Sequence, residues 1–442
     1  MRHLSTFQLI AALCVCQAFS QVATATYPAL LPVFMAQWSL TNTEAGWISG
    51  VFYVGYVVTV PVLVSLTDRY DARMIVLPAM ALSALSALGF AFLAEGVWSA
   101  SAWRALQGIG MAGTYMPGLK ALTDRLPDAS HSRAVAFYTS SFGIGTSMSF
   151  FVAGEANALL GWQWAFGLSA LAPALGTLVI AAVLAPRPVP ESDHPATALL
   201  DFRPVFANRE AFAYTLAYMV HNAELFALRS WIVAYLVFSQ SQQSADSFAV
   251  TWRATVIATV VNLCGMPASV LGNELAQRFG RPLVLLVVMA VSAATAVTLG
   301  FAATLPYWVV LGILFFYAFT IAADSSTITG GAVTTADPRY RGATMAVHSM
   351  VGFLGAIAGP IIFGGILDLS GGETEPLAWG LGFSSAGAIV LLGPLFIYTL
   401  GRSAKKGPDE PCPKPAGCVR SRGWEFPSEL KAYFVGKKRW RQ

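Results

Sequence analysis

Leu66-Thr67-Asp68-Arg69-Tyr70 and, 209 residues further on, Leu275-Ala276-Gln277-Arg278-Phe279 are two charged islands in an otherwise apolar chain. Each lies between runs long enough to cross a bilayer, for which about 20 apolar residues suffice. The first stands between Glu44–Leu66 and Met74–Ala94, the second between Phe248–Gly272 and Pro282–Ala303. The same offset aligns Asp128 with Asp337, Ala134 with Ala343, Ser140 with Ser349 and Gly143 with Gly352. One ungapped offset that joins two loops and a span implies a duplicated unit, and parallel repeats of this kind put a site between halves near the membrane midplane.

Outward from these islands the pattern repeats. Twelve apolar runs are expected to span: Phe7–Met35, Glu44–Leu66, Met74–Ala94, Val97–Leu122, Ser132–Ala158 and Trp162–Ala185, then Ala211–Phe238, Phe248–Gly272, Pro282–Ala303, Leu305–Gly331, Gly342–Leu367 and Leu377–Leu400. The fold class expected is an all-α membrane protein of twelve transmembrane helices in two pseudo-symmetric six-helix halves. Its parts are residues 1–185, a polar linker at 186–210, residues 211–400, and a basic, disordered tail at 401–442. Composition agrees: 56% of the 442 residues are hydrophobic and 11% charged, against roughly 25% charged in soluble domains. The first apolar run is too long for a signal peptide and reads as a retained helix.

Charge fixes the orientation. With the N-terminus inside, Arg2, Arg69, Arg73, Lys120, Arg125, Arg133, Arg187, Arg203, Arg209, Arg278, Arg281, Arg339, Arg341 and the basic tail all fall on the cytoplasmic side, as the positive-inside rule requires. Arg104 and Arg229 fall inside spans, and Arg253 lies outside. The expected location is a bacterial inner (plasma) membrane with both termini cytoplasmic. The overall charge of +4 comes from the tail, so no basic stripe suits nucleic acid. Cys14, Cys16, Cys264, Cys412 and Cys418 form no CxxC pair. No metal site and no cofactor are expected, and without a G-x-x-x-x-G-K-[ST] loop transport would run on gradients.

Two motifs resemble a known family. Leu66-Thr67-Asp68-Arg69-Tyr70-Asp71-Ala72-Arg73 is similar to motif A of the major facilitator superfamily, G-x-L-A-D-R-x-G-R-R, with Val64, Asp71 and Ala72 departing from it. Asn273-Glu274-Leu275-Ala276-Gln277-Arg278-Phe279-Gly280-Arg281 is a second copy with Gln277 for Asp. Arg104-Ala105-Leu106-Gln107-Gly108 resembles motif B, R-x-x-Q-G. The resemblance implies a cytoplasmic gate in which Asp68 caps a helix N-terminus, where a carboxylate is favoured, joined by Arg69, Arg73, Arg278 and Arg281. The family's antiporter pattern, Gly-Pro-x-x-Gly-Gly, is missing from span five, where Gly143-Ile144-Gly145-Thr146-Ser147 has no Pro.

Ionisable residues within spans are costly and mark function or pairing. Spans three, six, nine and twelve lack interior charge and are expected to face lipid, whereas one, four, seven and ten hold the polar interiors. His221 and Glu224 share a face of span seven, with Arg229 nearby. A carboxyl there is discouraged from charging and can load and release a proton; the alternative is a static pair with His221 or Arg229. Asp324, in Asp324-Ser325-Ser326-Thr327-Ile328-Thr329-Gly330-Gly331, suggests a locally unwound span ten, with Tyr317 on the same face and His348 of span eleven as a relay partner or a structural hydrogen bond. Arg104, Gln107 and Tyr115 share a face of span four, and Gln17 and Gln21 a face of span one; their alternative is packing.

The function expected is a secondary transporter of a small polar solute, an organic anion by preference, coupled to protons by alternating access. It would work as a monomer in the lipid bilayer, and it is not an enzyme. Proton coupling falls to Glu224, Asp324, His221 and His348, and substrate binding to Arg104, Arg229, Gln17, Gln21, Gln107, Tyr115 and Tyr317. The competing readings are a proton-driven multidrug or metabolite efflux pump and a non-transporting, transporter-like receptor.

Overall fold

The computed structural model describes residues 5–67, 69–187, 202–243 and 253–403, with the backbone alone at 128, 129, 132, 133, 402 and 403. Asp68 and the tail from residue 404 lie outside the described residues. Among those described, every regular element is helical. Eight helices are long and apolar enough to cross a membrane by length and composition.

The helices fall into twelve consecutive segments, six on either side of residues 188–201. The first is broken into α1 (Thr6–Gln21), α2 (Thr26–Ala29) and α3 (Leu31–Trp38). There follow α4 (Asn42–Leu66), α5 (Arg73–Leu93), α6 (Val97–Thr123), α7 (Asp128–Leu160) and α8 (Trp162–Val183). After a short α9 (Arg203–Ala207), the second set holds α10 (Arg209–Ser241), α11 (Ala254–Phe279) and α12 (Arg281–Phe301). Its tenth segment is α13 (Tyr307–Ala323) with α14 (Ser325–Thr335), its eleventh α15 (Arg341–Leu369), and its twelfth α16 (Pro376–Val390) with α17 (Leu392–Ser403).

Local sequence accounts for several boundaries. Ser5 and Gln8 form a capping box at the start of α1, and Thr41 and Glu44 do the same for α4, each satisfying two orphan backbone donors. Gly161 (φ 94°) and Gly280 (φ 87°) turn the chain between α7 and α8 and between α11 and α12, in the left-handed region that a glycine tolerates.

The halves meet chiefly where α4 lies along α15. A side chain at Gly46 would collide with the carbonyl of Pro360, and a Cβ at Gly50 would stand 2.7 Å from the carbonyl oxygen of Ile357. Small residues let the two backbones approach, the usual device where lipid supplies no hydrophobic drive between helices. At the Asn42 end a carboxylate closes this seam. Asp368 Oδ1 accepts from the Asn42 N–H (2.9 Å) and Nδ2 (2.8 Å), and Oδ2 from the Thr43 N–H (2.8 Å) and Oγ1 (2.6 Å). An acid of α15 thus caps the N-terminus of α4, where the helix dipole favours it. Arg253 and Glu155, 2.6 Å apart, join α11 to α7.

Candidate functional site

The break in the first segment starts from Pro28. It has no N–H to return to the Thr24 carbonyl, and Val22–Ala25 form an irregular turn between α1 and α2. The freed backbone groups find side chains. Ala25 N–H donates to Ser149 Oγ (3.0 Å), Arg104 Nη1 to the Thr24 carbonyl (2.9 Å), and Gln107 Nε2 to the Ala23 carbonyl (3.0 Å). Arg104 Nη1 also donates to Gln107 Oε1 at 2.7 Å. Its guanidinium lies 4.6 Å from the centre of the Phe52 ring and 5.7 Å from that of Tyr27, and the residue is 1% exposed. Irregular backbone inside a membrane needs such partners, so Arg104 and Gln107 brace span one from α6.

The second half gathers acids and imidazoles. Thr215, Tyr218, His221 and Glu224 are spaced three apart on α10, each the neighbour of the next along a row that winds half-way round the helix. His221 Nδ1 lies 2.7 Å from Asp324 Oδ1, both residues 1% exposed. The ring N–H is not aligned as a hydrogen bond, so this is an ion-pair distance only. Glu224 Oε1 accepts from Ser292 Oγ of α12 (2.8 Å) and from the Tyr317 hydroxyl of α13 (3.1 Å), while Oε2 has no hydrogen-bond partner. The Tyr218 ring runs parallel to both imidazoles, its centre 4.3 Å from His348 and 5.8 Å from His221. His348 Nδ1 stands 3.5 Å from Thr215 Oγ1. A chain of exchangeable groups therefore follows α10 and α15.

The arginines stand apart from these acids. Arg229 Nε donates to Asn262 Oδ1 of α11 at 3.0 Å, and the guanidinium lies 5.2 Å from the Phe226 ring centre. Arg229 is partly exposed. Among the described residues, neither Arg104 nor Arg229 has a carboxylate at ion-pair distance. His221 sits with Asp324 rather than Glu224, and it is His221 and Tyr218 that come between Asp324 and His348.

The remaining candidates are scattered. Gln17 Oε1 accepts from the Tyr138 hydroxyl at 2.8 Å and lines a small cavity inside the first half with Leu13, Cys16 and Thr114. Gln21 Nε2 donates to Ser20 Oγ at 3.1 Å. Tyr115 stacks on Tyr138 and meets Phe142 edge-on, their centres 5.2 Å apart. Of the expected gate, Arg69 and Arg278 are exposed. Arg73 donates to the Ala181 carbonyl and Arg281 to Thr334 Oγ1, each within its own half. Asp71, which departs from the motif, holds Arg125 Nη2 at 2.9 and 3.0 Å and the Arg187 N–H at 2.9 Å. Burial pushes its carboxyl up, but the Arg187 N–H and the Arg125 guanidinium outweigh that and hold it below its usual value.

Two expectations change in detail. The tenth segment is not unwound: the interruption is Asp324 alone, and Ile328 N–H returns to its carbonyl at 2.9 Å. The fuller break is in the first segment, because Pro28 removes a donor that Asp324 retains. Span nine was expected to be a lipid-facing helix, yet its Ser292 reaches Glu224. A lone serine in an apolar run gives no warning of this, nor does Asn262. Tyr218, three residues before His221, could have been read from spacing, and the break from Pro28 following Thr24 by four.

This is a helical membrane protein in two halves, with ionisable groups buried along α6, α10 and α13–α15. The chain belongs to the Major Facilitator Superfamily, whose model matches residues 13–255 and 211–435. It is similar to Protein spinster of Drosophila melanogaster (22% identity over 280 residues, 61% of this chain and 46% of that one). It is also similar to the niacin transporter NiaP of Acinetobacter baylyi (24% over 174 residues, 39% of this chain and 38% of that one). The chain spans about a third to just under half the length of the curated relatives it matches. Among solved structures, a bacterial homologue of the human lysosomal transporter Spinster, inward-facing and occupied, superposes with a TM-score of 0.74 at 16% identity, covering 91% of this chain and 98% of that one. The nucleoside transporter NupG (D323A mutant) gives 0.71 at 16%, covering 88% and 100%. At such identity the likeness is one of fold. The chain is thus an integral membrane protein of that superfamily.

Proposed function

We propose that the chain carries a small organic anion in company with protons, by rocking of residues 1–185 against 211–400. The observation that supports this is the separation of opposite charges in the low-dielectric interior. Glu224 and Asp324 have hydroxyls and an imidazole for partners, and Arg104 and Arg229 have amides, carbonyls and aromatic rings. Charges held apart in this way need compensation from elsewhere. A proton neutralises an acid, and an anionic solute neutralises a guanidinium. Arg229, partly exposed, is the solute's contact, and Arg104 keeps the neighbouring span in shape. Glu224, His221 and Asp324 hold the coupling proton, and His348 passes it along α10. The relatives' names span Spinster, niacin and nucleoside transport, so the cargo rests on this geometry. Both termini are read as cytoplasmic in a bacterial inner membrane, with the protein working as a monomer.

Proteoliposome uptake under an imposed pH gradient tests the reading. Arg229→Gln removes a charge-assisted contact of ~1.5–3 kcal/mol, so solute affinity should fall roughly 10- to 150-fold. Glu224→Gln and Asp324→Asn should abolish pH-driven accumulation while leaving exchange of labelled for unlabelled solute. Intact pH-driven flux in both acid variants would sink the coupling assignment.

A further inference from the structure

We infer that the anion is an aromatic carboxylate, a deepening that rests on the anion reading above. Arg229 directs Nε to Asn262, which fixes the plane of the guanidinium, and among the described residues its two terminal nitrogens make no hydrogen bond. That leaves a planar fork of two donors, the geometry that matches a carboxylate bidentately.

The surroundings of the fork are ring faces from both halves. The Arg229 guanidinium overlies Phe226. Tyr53 of α4 lies 4.5 Å from Phe226 and 5.6 Å from Phe353 of α15, centre to centre. Tyr53, Tyr115 and Tyr218 all keep part of their surface free.

This composition discriminates among solutes. Inorganic phosphate or sulfate wants donors around every oxygen, whereas one open fork stands here among rings. A sugar wants many amide and carboxylate partners, and Asn262 is already engaged. An amine wants an open acid, but Glu224 and Asp324 are fully buried and engaged with other side chains. A flat ring carrying a carboxylate uses both features, its charge on Arg229 and one face offset against the partly exposed Tyr53. Because Arg229 and Tyr53 come from different halves, the solute also bridges the parts that must move.

The test uses the full-length chain in detergent, with binding followed by thermal shift and by competition for labelled benzoate. Benzoate should bind roughly tenfold more tightly than cyclohexanecarboxylate, the worth of one or two aromatic pairs. Benzamide and inorganic phosphate should not compete. Tyr53→Leu should erase the preference for the aromatic ring while retaining carboxylate binding, and Tyr53→Phe should keep the preference. Equal affinity for the two carboxylates overturns the aromatic assignment and leaves the anion reading standing. Competition by benzamide as strong as that by benzoate overturns the anion reading itself. Absence of benzoate binding overturns the assignment made here.

Discussion

The two halves bury charge by opposite means. In the first, Arg104 is a permanent cation held by the Thr24 carbonyl that Pro28 has freed, by Gln107 Oε1 and by two aromatic faces. In the second, Glu224, Asp324, His221 and His348 are held by hydroxyls, by a tyrosine ring and by one another. The first arrangement cannot change protonation at accessible pH, because a guanidinium does not release its proton. The second consists of groups that can. One half thus holds a structural brace and the other the groups proposed to carry the proton.

The largest effect should come from striking the brace. Arg104→Ala orphans the Thr24 carbonyl and Gln107 Oε1, each at about 1–3 kcal/mol. The melting temperature of the purified protein should drop by several degrees. Glu224→Gln, an isostere that can still accept from Ser292 and Tyr317, should leave the melting temperature near that of the parent while losing pH-driven uptake. If both variants melt alike, the contrast between halves fails. A smaller effect concerns the seam between halves. Asp368→Asn keeps the shape but loses charge-assisted bonds to the N-terminus of α4. Spin labels on the ends of α4 and α15 near Asn42 and Asp368 should report a population shifted toward separation; an unchanged distance distribution would show that Asp368 does not hold the seam closed.

The smallest effect is that of Asp71. Its carboxyl is held below its ordinary value of 3.8, so its contribution is present above that value and lost as pH falls through the lower folded one. Acid unfolding monitored by circular dichroism should begin at higher pH in Asp71→Asn. Superimposable curves would show that the Arg125 and Arg187 contacts add nothing.

Much of this was legible before any coordinates. Apolar runs pointed to an all-helical membrane fold, because a membrane helix must satisfy its backbone internally and can do so only over a continuous apolar length. Glu224, Asp324 and the histidines stood out because charge within such a run has few explanations. Partners were less visible. His221 and Glu224 share a helical face, yet His221 sits with Asp324, about a hundred residues on, while Glu224 turns to Ser292 and Tyr317. The gate region shows the same limit: Asp71, outside the motif's pattern, takes Arg125, and the carboxylate at the opposite end, Asp368, carried no motif at all.

The sequence alone determined the class of the protein: its spans, its repeat, its family and the short roster of buried ionisable residues. These follow from composition and spacing along the chain, which local hydrogen bonding and transfer energies translate directly into helices. Only the tertiary structure decided how that roster divides. Whether Arg104 braces span one or Arg229 takes Asn262 and the Phe226 ring depends on which helices pack together, and a buried polar group takes whatever partner the packing brings within about 3 Å.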